Sequence, residues 1–262
     1  PNGLKKSAHG ETEEYTTNMN EVLKVVGTHP VREAIKSGKE IEKILVSRET
    51  SNSELSEIVK IAKEKGIPVQ KVPKIKLDKA SDINHQGVLA YISPVKFVEI
   101  DDIIEVATNR NESPFVIILD SVTDTRNFGA ICRTAECMGV HGIIIPKNHS
   151  ASINEGVIKS SAGAVLKLKI SRINHLQDAI YHLQASEIKV ISFTEKAESN
   201  LRDFTPEKGG VAIILGSEDL GINPKLISSS DNHLKIQMYG STESLNVGVA
   251  AGMAIYEIKN KF

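Results

Sequence analysis

The chain has 262 residues and a formal net charge of -1, with 40% hydrophobic and 25% charged residues, a balance that suits one large globular domain or two ordinary ones. A net charge so near zero excludes a uniformly basic nucleic-acid coat, because phosphate binding draws on positive charge, though only where the nucleic acid lies. No apolar run reaches the roughly 18 residues that cross a bilayer, and no basic segment with an apolar stretch opens the chain, so a cytoplasmic protein without membrane contact is expected.

In chain order, residues 1–21 are polar, carry no apolar periodicity and read as a flexible tail. Residues 22–93 read as a small α/β domain. In it, Gly27-Thr28-His29-Pro30 opens a helix and Ile41 to Ser47 forms a strand. Ser51 and Glu54 make a capping box for a helix that runs to Lys65 and ends at Gly66, and strands follow at Ile67 to Val72 and Gly87 to Ile92. Lysines gather between Lys60 and Lys79, which local charge patterning explains equally well as a solvated face or a phosphate-binding one. Residues 94–112, with a short helix at Asp101 to Thr108, read as the linker.

Residues 113–262 alternate. Strands are expected at Phe115 to Asp120, Gly142 to Pro146, Val165 to Ile170, Lys189 to Phe193, Val211 to Leu215 and Leu234 to Gln237. Helices are expected at Gly129 to Met138, Asn154 to Ser160, His175 to Ser186, Pro224 to Ser229 and from Ser244 onward. This pattern predicts an α/β domain whose mostly parallel sheet is covered by helices on both faces. Cys132 and Cys137 sit in one helix at a spacing that suits neither a disulfide nor a zinc site, so both are expected to be buried and no metal is expected.

Three clusters carry the chemistry. The first, Thr125-Arg126-Asn127-Phe128-Gly129-Ala130-Ile131-Cys132-Arg133, places Asn127 and Gly129 in a turn before a helix that bears Arg133. A helix cap and a surface arginine would account for it locally, but Asp124, Arg126, Asn127 and Arg133 are more polar groups than a cap requires. The second, Leu215-Gly216-Ser217-Glu218-Asp219-Leu220-Gly221, brings a carboxylate and a glycine to a strand end. It lacks the spacing of a dinucleotide fingerprint or a P-loop. The third, Ile236 to Val247, contains Ser244-Leu245-Asn246 before a helix rich in small residues, where Ser244 could serve simply as the N-cap.

Together, in this order, the clusters resemble the three motifs of the SpoU (TrmH-type) family of RNA ribose 2′-O-methyltransferases, from about Phe115 to the C-terminus. The resemblance implies a deep trefoil knot in the C-terminal domain, S-adenosylmethionine as cofactor and a homodimer. It implies a cofactor pocket built from Thr194, Leu215, Gly216, Glu218, Ile236, Met238, Leu245 and Asn246. It also implies that Asn127, Arg133, Glu218, Ser244 and Asn246 serve catalysis, with Arg133 acting at the ribose hydroxyl and its phosphate. Residues 22–93 resemble the L30e-like RNA-binding domain of the bacterial large-subunit rRNA enzymes of this family, through Gly27-Thr28-His29-Pro30-Val31 and His85-Gln86-Gly87-Val88-Leu89-Ala90. The implied substrate is a guanosine ribose of 23S rRNA. The same chemistry on tRNA, a non-catalytic RNA-binding or ribosome-assembly protein with this fold, and a base methyltransferase using a cysteine nucleophile are the alternatives.

Overall fold

The computed structural model describes residues 24–206, 209–242 and 244–262, so the expected tail lies outside the described residues. Two compact units divide between Pro94 and Val95.

The first unit is a four-stranded sheet in the order β1-β4-β2-β3, from β1 (Lys24–Val26), β2 (Ile41–Ser47), β3 (Val69–Val72) and β4 (Val88–Ile92). Helices α1 (Thr28–Lys36), α2 (Ser53–Glu64) and α3 (Lys74–Asp78) cover it. The two-residue period of β2 is visible in the packing. Ile44 and Val46 join Val31, Ile35 and Ile58, while Leu45 joins Leu77 and Leu89 in a separate cluster. The expected capping box is replaced by Asn52, whose Oδ1 accepts from the Leu55 N–H at 2.8 Å. A side chain at that position reaches the orphan donors of the first turn directly, and Ser51 lies one residue too far back.

The second unit holds a seven-stranded sheet in the order β7-β6-β5-β10-β8-β11-β9, with every pairing parallel. Its strands are β5 (Phe115–Asp120), β6 (Gly142–Pro146), β7 (Lys169–Ile173), β8 (Lys189–Phe193), β9 (Ser199–Asn200), β10 (Val211–Gly216) and β11 (Asn232–Lys235). Its helices are α4 (Ile100–Asn109), α5 (Thr125–Cys137), α6 (Glu155–Ser160), α7 (Leu176–Ala185), α8 (Pro224–Ser229) and α9 (Val247–Lys259). Along β5, Phe115, Ile117 and Leu119 bury against Phe128, Ile131, Val157 and Ile255. Val116 and Ile118 bury on the other face against Ile103, Ile180 and Leu226. Burial of both faces explains why β5 is apolar throughout instead of alternating.

Several elements differ from the sequence reading. The segment read as a linker contributes α4, whose Ile100, Ile103 and Ala107 form a buried stripe that makes it part of the second unit. In place of a strand at Val165 to Ile170 there is a 3₁₀ turn over Ala164–Leu166, followed by β7. Val165 is buried there by the turn, so an apolar run alone could not tell the two apart. Helix α5 starts four residues before the expected Gly129, β11 two before Leu234, and α9 three after Ser244. Cys132 is buried and Cys137 is exposed, against the expectation that both are buried. Near the C-terminus, Lys261 Nζ donates to the carbonyls of Leu201, Arg202 and Phe204 at 3.0, 2.7 and 2.7 Å.

At the N-terminal edge of the sheet, the buried His141 accepts the Phe115 N–H on Nδ1 at 2.9 Å, and its Nε2 faces Glu112 Oε2 at 3.1 Å. Burial holds the imidazole below its ordinary value, an effect that neighbouring Glu112 only partly offsets. A group with a lowered folded value contributes its full stability above its unfolded pKa of about 6.5 and loses it as the pH falls from there towards the folded value. The melting temperature should therefore fall between pH 7.5 and 5, each 1 kcal/mol showing as roughly 2–4 °C. The fall should shrink in His141→Asn, whose amide oxygen can accept from Phe115 without titrating. Equal slopes in the two proteins would refute this account.

Candidate active site

Parallel strands in register bring their C-terminal ends to one edge. Gly216 of β10 lies beside Asp120 of β5, and β8 and β11 run alongside with Phe193 opposite Leu234. The polar loops that leave these strands are therefore neighbours, as in open α/β sheets generally.

The β10 loop folds tightly back on its own strand. A Cβ on Gly216 would lie 2.1 Å from the carbonyl carbon of Gly221, so only glycine fits. The Gly221 N–H donates to Ser217 O at 2.9 Å, and Ser217 Oγ accepts from the Leu220 N–H at 3.2 Å. Asp120, buried at the end of β5, accepts the Asn223 N–H at 2.7 Å and the Ser121 hydroxyl at 3.0 Å, which ties the far end of the loop to the sheet. Asp120 was not singled out from the sequence. An acidic residue closing an apolar strand run was the signal available.

Glu218 sits in this loop, and the three sequence clusters meet at its carboxylate. Oε1 accepts from Asn127 Nδ2 at 3.1 Å, from the Val247 N–H at 3.2 Å, and from Asn246 Nδ2 in a short contact. Asn246 Nδ2 also donates to Asn127 Oδ1 at 3.0 Å. The other end of the Asn246 amide caps α9, its Oδ1 accepting from the Gly248 and Val249 N–H groups at 3.0 and 3.3 Å. Asn246 is therefore the N-cap that Ser244 was read to be, and the positive end of α9 adds to the attraction for Glu218. With Oε1 occupied, Oε2 accepts no hydrogen bond among the described residues and is free to take a donor from outside.

Asn127 is placed by α5. Asp124 caps that helix by accepting the Arg126 and Asn127 N–H groups at 2.8 Å each, so Asn127 lies in the first turn and not in a loop before it. Gly129 is likewise inside the helix, where a Cβ would lie 1.9 Å from Ser160 Oγ of α6. It is a close-packing glycine and not a turn glycine. Six residues beyond Asn127 on the same helix, Arg133 points from a different side, is exposed and has no partner among the described residues.

Of the other expected site residues, Thr194 follows β8 and its N–H donates to Leu234 O at 3.0 Å. Leu215 is buried at the end of β10, and Ile236 is partly buried against the core. The backbone N–H groups of Gln237, Met238, Tyr239 and Gly240 have no partner among the described residues. Leu245 is partly buried and Ser244 exposed. The structure thus joins Asn127, Glu218 and Asn246 directly, and leaves Arg133 and Ser244 without a contact to them. Burial pushes the Cys132 thiol far up, which disfavours a cysteine nucleophile.

Over residues 114–256 the sequence matches the pattern described as the SpoU rRNA Methylase family, more than half of the chain. The chain belongs to the SpoU rRNA methylase family. A second pattern, described as RNA 2′-O ribose methyltransferase substrate binding, matches residues 24–98 and so covers the first unit. A protein of Bacillus subtilis strain 168 named for the TrmH family of tRNA/rRNA methyltransferases is 33% identical over 90% of this chain and 95% of its own length. A Staphylococcus saprophyticus protein named for the same family is 36% identical over 93% and 97%. Among solved structures, the SpoU methyltransferase AviRb of Streptomyces viridochromogenes in complex with AdoMet superposes with a TM-score of 0.57 at 21% identity. It covers 91% of this chain and 89% of that one, and it shares the SpoU fold.

Proposed function

We propose that this SpoU family member methylates a ribose 2′-hydroxyl in RNA with S-adenosylmethionine as donor, acting in the cytoplasm on a guanosine of 23S rRNA. The observation that carries this reading is the meeting of Asn127, Glu218 and Asn246, separated by 91 and 28 residues, at the C-terminal edge of the sheet. Packing alone does not call for a carboxylate oriented by two amides with one oxygen left over.

The loop ends fit the cofactor. Leu215 and Gly216 end β10, Thr194 follows β8, Ile236 and Met238 follow β11 and Leu245 precedes α9, and the unpaired N–H groups of residues 237–240 can bind a ligand through backbone, which explains how apolar residues serve in a binding site. When bound, S-adenosylmethionine supplies an electrophilic methyl on a sulfonium. The chain has then to align the ribose oxygen and help release its proton. Glu218 Oε2 can accept from the ribose, and the Asn127 and Asn246 amides hold it in place. Arg133 binds the hydroxyl together with its phosphate. A guanidinium has five N–H donors and no acceptor, so Arg133 acts by charge and orientation. Ser244, exposed two residues before Asn246, orients the ribose.

Two further parts belong to this reading. A homodimer is supported by Val249, Met253 and Tyr256, which expose 51, 45 and 61% of their surface along one side of α9. A knotted C-terminal domain is supported by the strand order, in which the chain leaves β10, passes β8 to reach β11 and returns to pack α9 on α5. Methylation of tRNA is the second reading, favoured by relatives named for both RNAs.

Transfer of labelled methyl from S-adenosylmethionine to unmodified 23S rRNA and to bulk tRNA, with the product mapped, tests the proposal. Label on a guanosine ribose of the rRNA is the expected result. Label on tRNA alone would replace the substrate, and no transfer with no cofactor binding would leave a non-catalytic RNA-binding protein.

A further inference from the structure

The first unit contains a cleft of about 670 Å³ that the reading above does not use. Thr50 and Asn52, ahead of α2, form one wall, and residues 81–87, ahead of β4, form the other. Its size falls in the range of sites for small molecules or for single groups of larger ones.

The second wall is fixed from inside. The buried His85 accepts the Gly87 N–H on Nδ1 at 2.9 Å, which leaves its proton on Nε2 to be donated to Asp78 Oδ1 at 2.8 Å. Gln86 spends its side chain on the start of α1, accepting from the Thr28 N–H at 3.1 Å and its hydroxyl at 3.0 Å. His85 and Gln86, a recurrent segment of the resembled domain, line the cleft but hold the turn, the bonded ring and amide atoms being spent within the unit. The groups left facing it are of three chemical kinds. Ile83 is 67% exposed at the rim, the Asn84 amide offers its Nδ2 donors while its Oδ1 accepts the Gln86 N–H at 3.2 Å, and the carboxylates of Asp82 and Glu54 have no partner among the described residues. Lys74 is the one cation in the lining, while Lys71, Lys76 and Lys79 are exposed on the adjoining β3 and α3 segment.

This arrangement selects a ligand. Phosphate inside the cleft would meet the Glu54, Asp78 and Asp82 carboxylates against Lys74 alone, with further lysines on the adjoining segment, so the negative part of the ligand belongs on the rim by Lys74. The part that enters must present N–H donors and a flat apolar face. An unpaired nucleotide meets both demands, since single-stranded RNA is read on base edges and by stacking on side chains. Of the four bases, guanine places two adjacent donors, N1–H and N2–H, opposite the two oxygens of one carboxylate. Uracil turns two carbonyls towards it.

We infer that this cleft binds an unpaired guanosine of the RNA substrate, with the base edge on Asp82 and Glu54, the base face on Ile83 and the flanking phosphates on Lys74 and Lys76. The inference rests on the RNA-modifying reading above. It is tested on the full chain by fluorescence anisotropy with the labelled heptanucleotides UUUGUUU and UUUUUUU. Roughly tenfold tighter binding of the guanosine oligonucleotide is expected, as for one two-point base contact. The exposed double variant Asp82→Asn, Glu54→Gln should lose that preference and keep its affinity for oligouridine, while Lys74→Ala, Lys76→Ala should weaken both alike. Equal binding of the two oligonucleotides by the wild type, or a preference that survives in the carboxylate variant, would overturn the cleft assignment. Methyl transfer measured in parallel separates the two ideas: transfer without a guanosine preference sinks the cleft alone, and absence of both transfer and RNA binding sinks both.

Discussion

Arg133→Ala is expected to lower methyl transfer by roughly 10²–10³-fold, the span associated with removing one positioned donor that stabilises charge at a reacting oxygen. The melting temperature should stay within about 2 °C of wild type. The loss of rate follows from the role proposed for Arg133 at the ribose; the unchanged melting follows from its exposure on α5 and its lack of a hydrogen bond or ion pair among the described residues. A side chain that holds nothing in place can be removed at little cost to the fold, since exposed substitutions away from packed or paired groups stay within about 0.5 kcal/mol. Arg133→Lys separates charge from shape. If the guanidinium grips hydroxyl and phosphate by its fork, lysine should recover only a small part of the lost rate, because an ammonium cannot make the two-point contact. Normal turnover in Arg133→Ala would remove it from the mechanism and leave the proposed contact to the ribose to Glu218.

The second large effect is expected at Gly216, and it should appear in stability and cofactor binding together. An alanine there would place its Cβ 2.1 Å from the Gly221 carbonyl carbon and 2.3 Å from the Ile222 nitrogen. Those atoms are backbone, so no rotamer change relieves the clash and the loop itself must move. Overpacking of this kind costs about 3 kcal/mol, or roughly 6–12 °C for a domain of this size. Moving the loop displaces Glu218 from Asn127 and Asn246, and calorimetric titration with S-adenosylmethionine should show binding weakened at least about tenfold. Gly252→Ala is the matched control. Nothing lies within 4 Å of its Cβ, and alanine in the middle of α9 should be neutral or mildly stabilising. A Gly216→Ala protein with unchanged melting and unchanged binding would show that the loop is softer than its packing implies.

Much of this fold is legible in the sequence, and the parts that are not share a cause. Strands β2, β5, β6 and β8 and helix α8 have the bounds read from apolar runs and turn residues, because each run is closed at both ends by a breaker or a charge. The two-residue β9 carries too few side chains to leave a pattern, and Val165 belongs to a turn that buries it as fully as a strand would. The start of α5 was misplaced by reading Asn127 as the cap when Asp124, three residues earlier, makes those bonds. At the site, residue types and order were readable, since Asn127, Glu218 and Asn246 each fall in a polar cluster that borders an apolar strand or helix. Their mutual hydrogen bonds were not, because no local pattern records which strand ends become neighbours. Nor does any pattern reveal that Gly129 is kept small by Ser160 on another helix.

The bonds at Glu218 also bear on the order of events during folding. Asn127 reaches Glu218 across 91 residues and Asn246 across 119, so these bonds form only after most of the second unit has found its register. Contacts of such separation carry the largest loop-closure cost and form slowly. The parallel pairs of β5, β6 and β7 can assemble from nearby sequence, but the carboxylate waits for the last helix to arrive and deliver Asn246 and the Val247 N–H. A chain in which only the β5, β6 and β7 pairs have formed therefore has part of the sheet and lacks the Glu218 cluster.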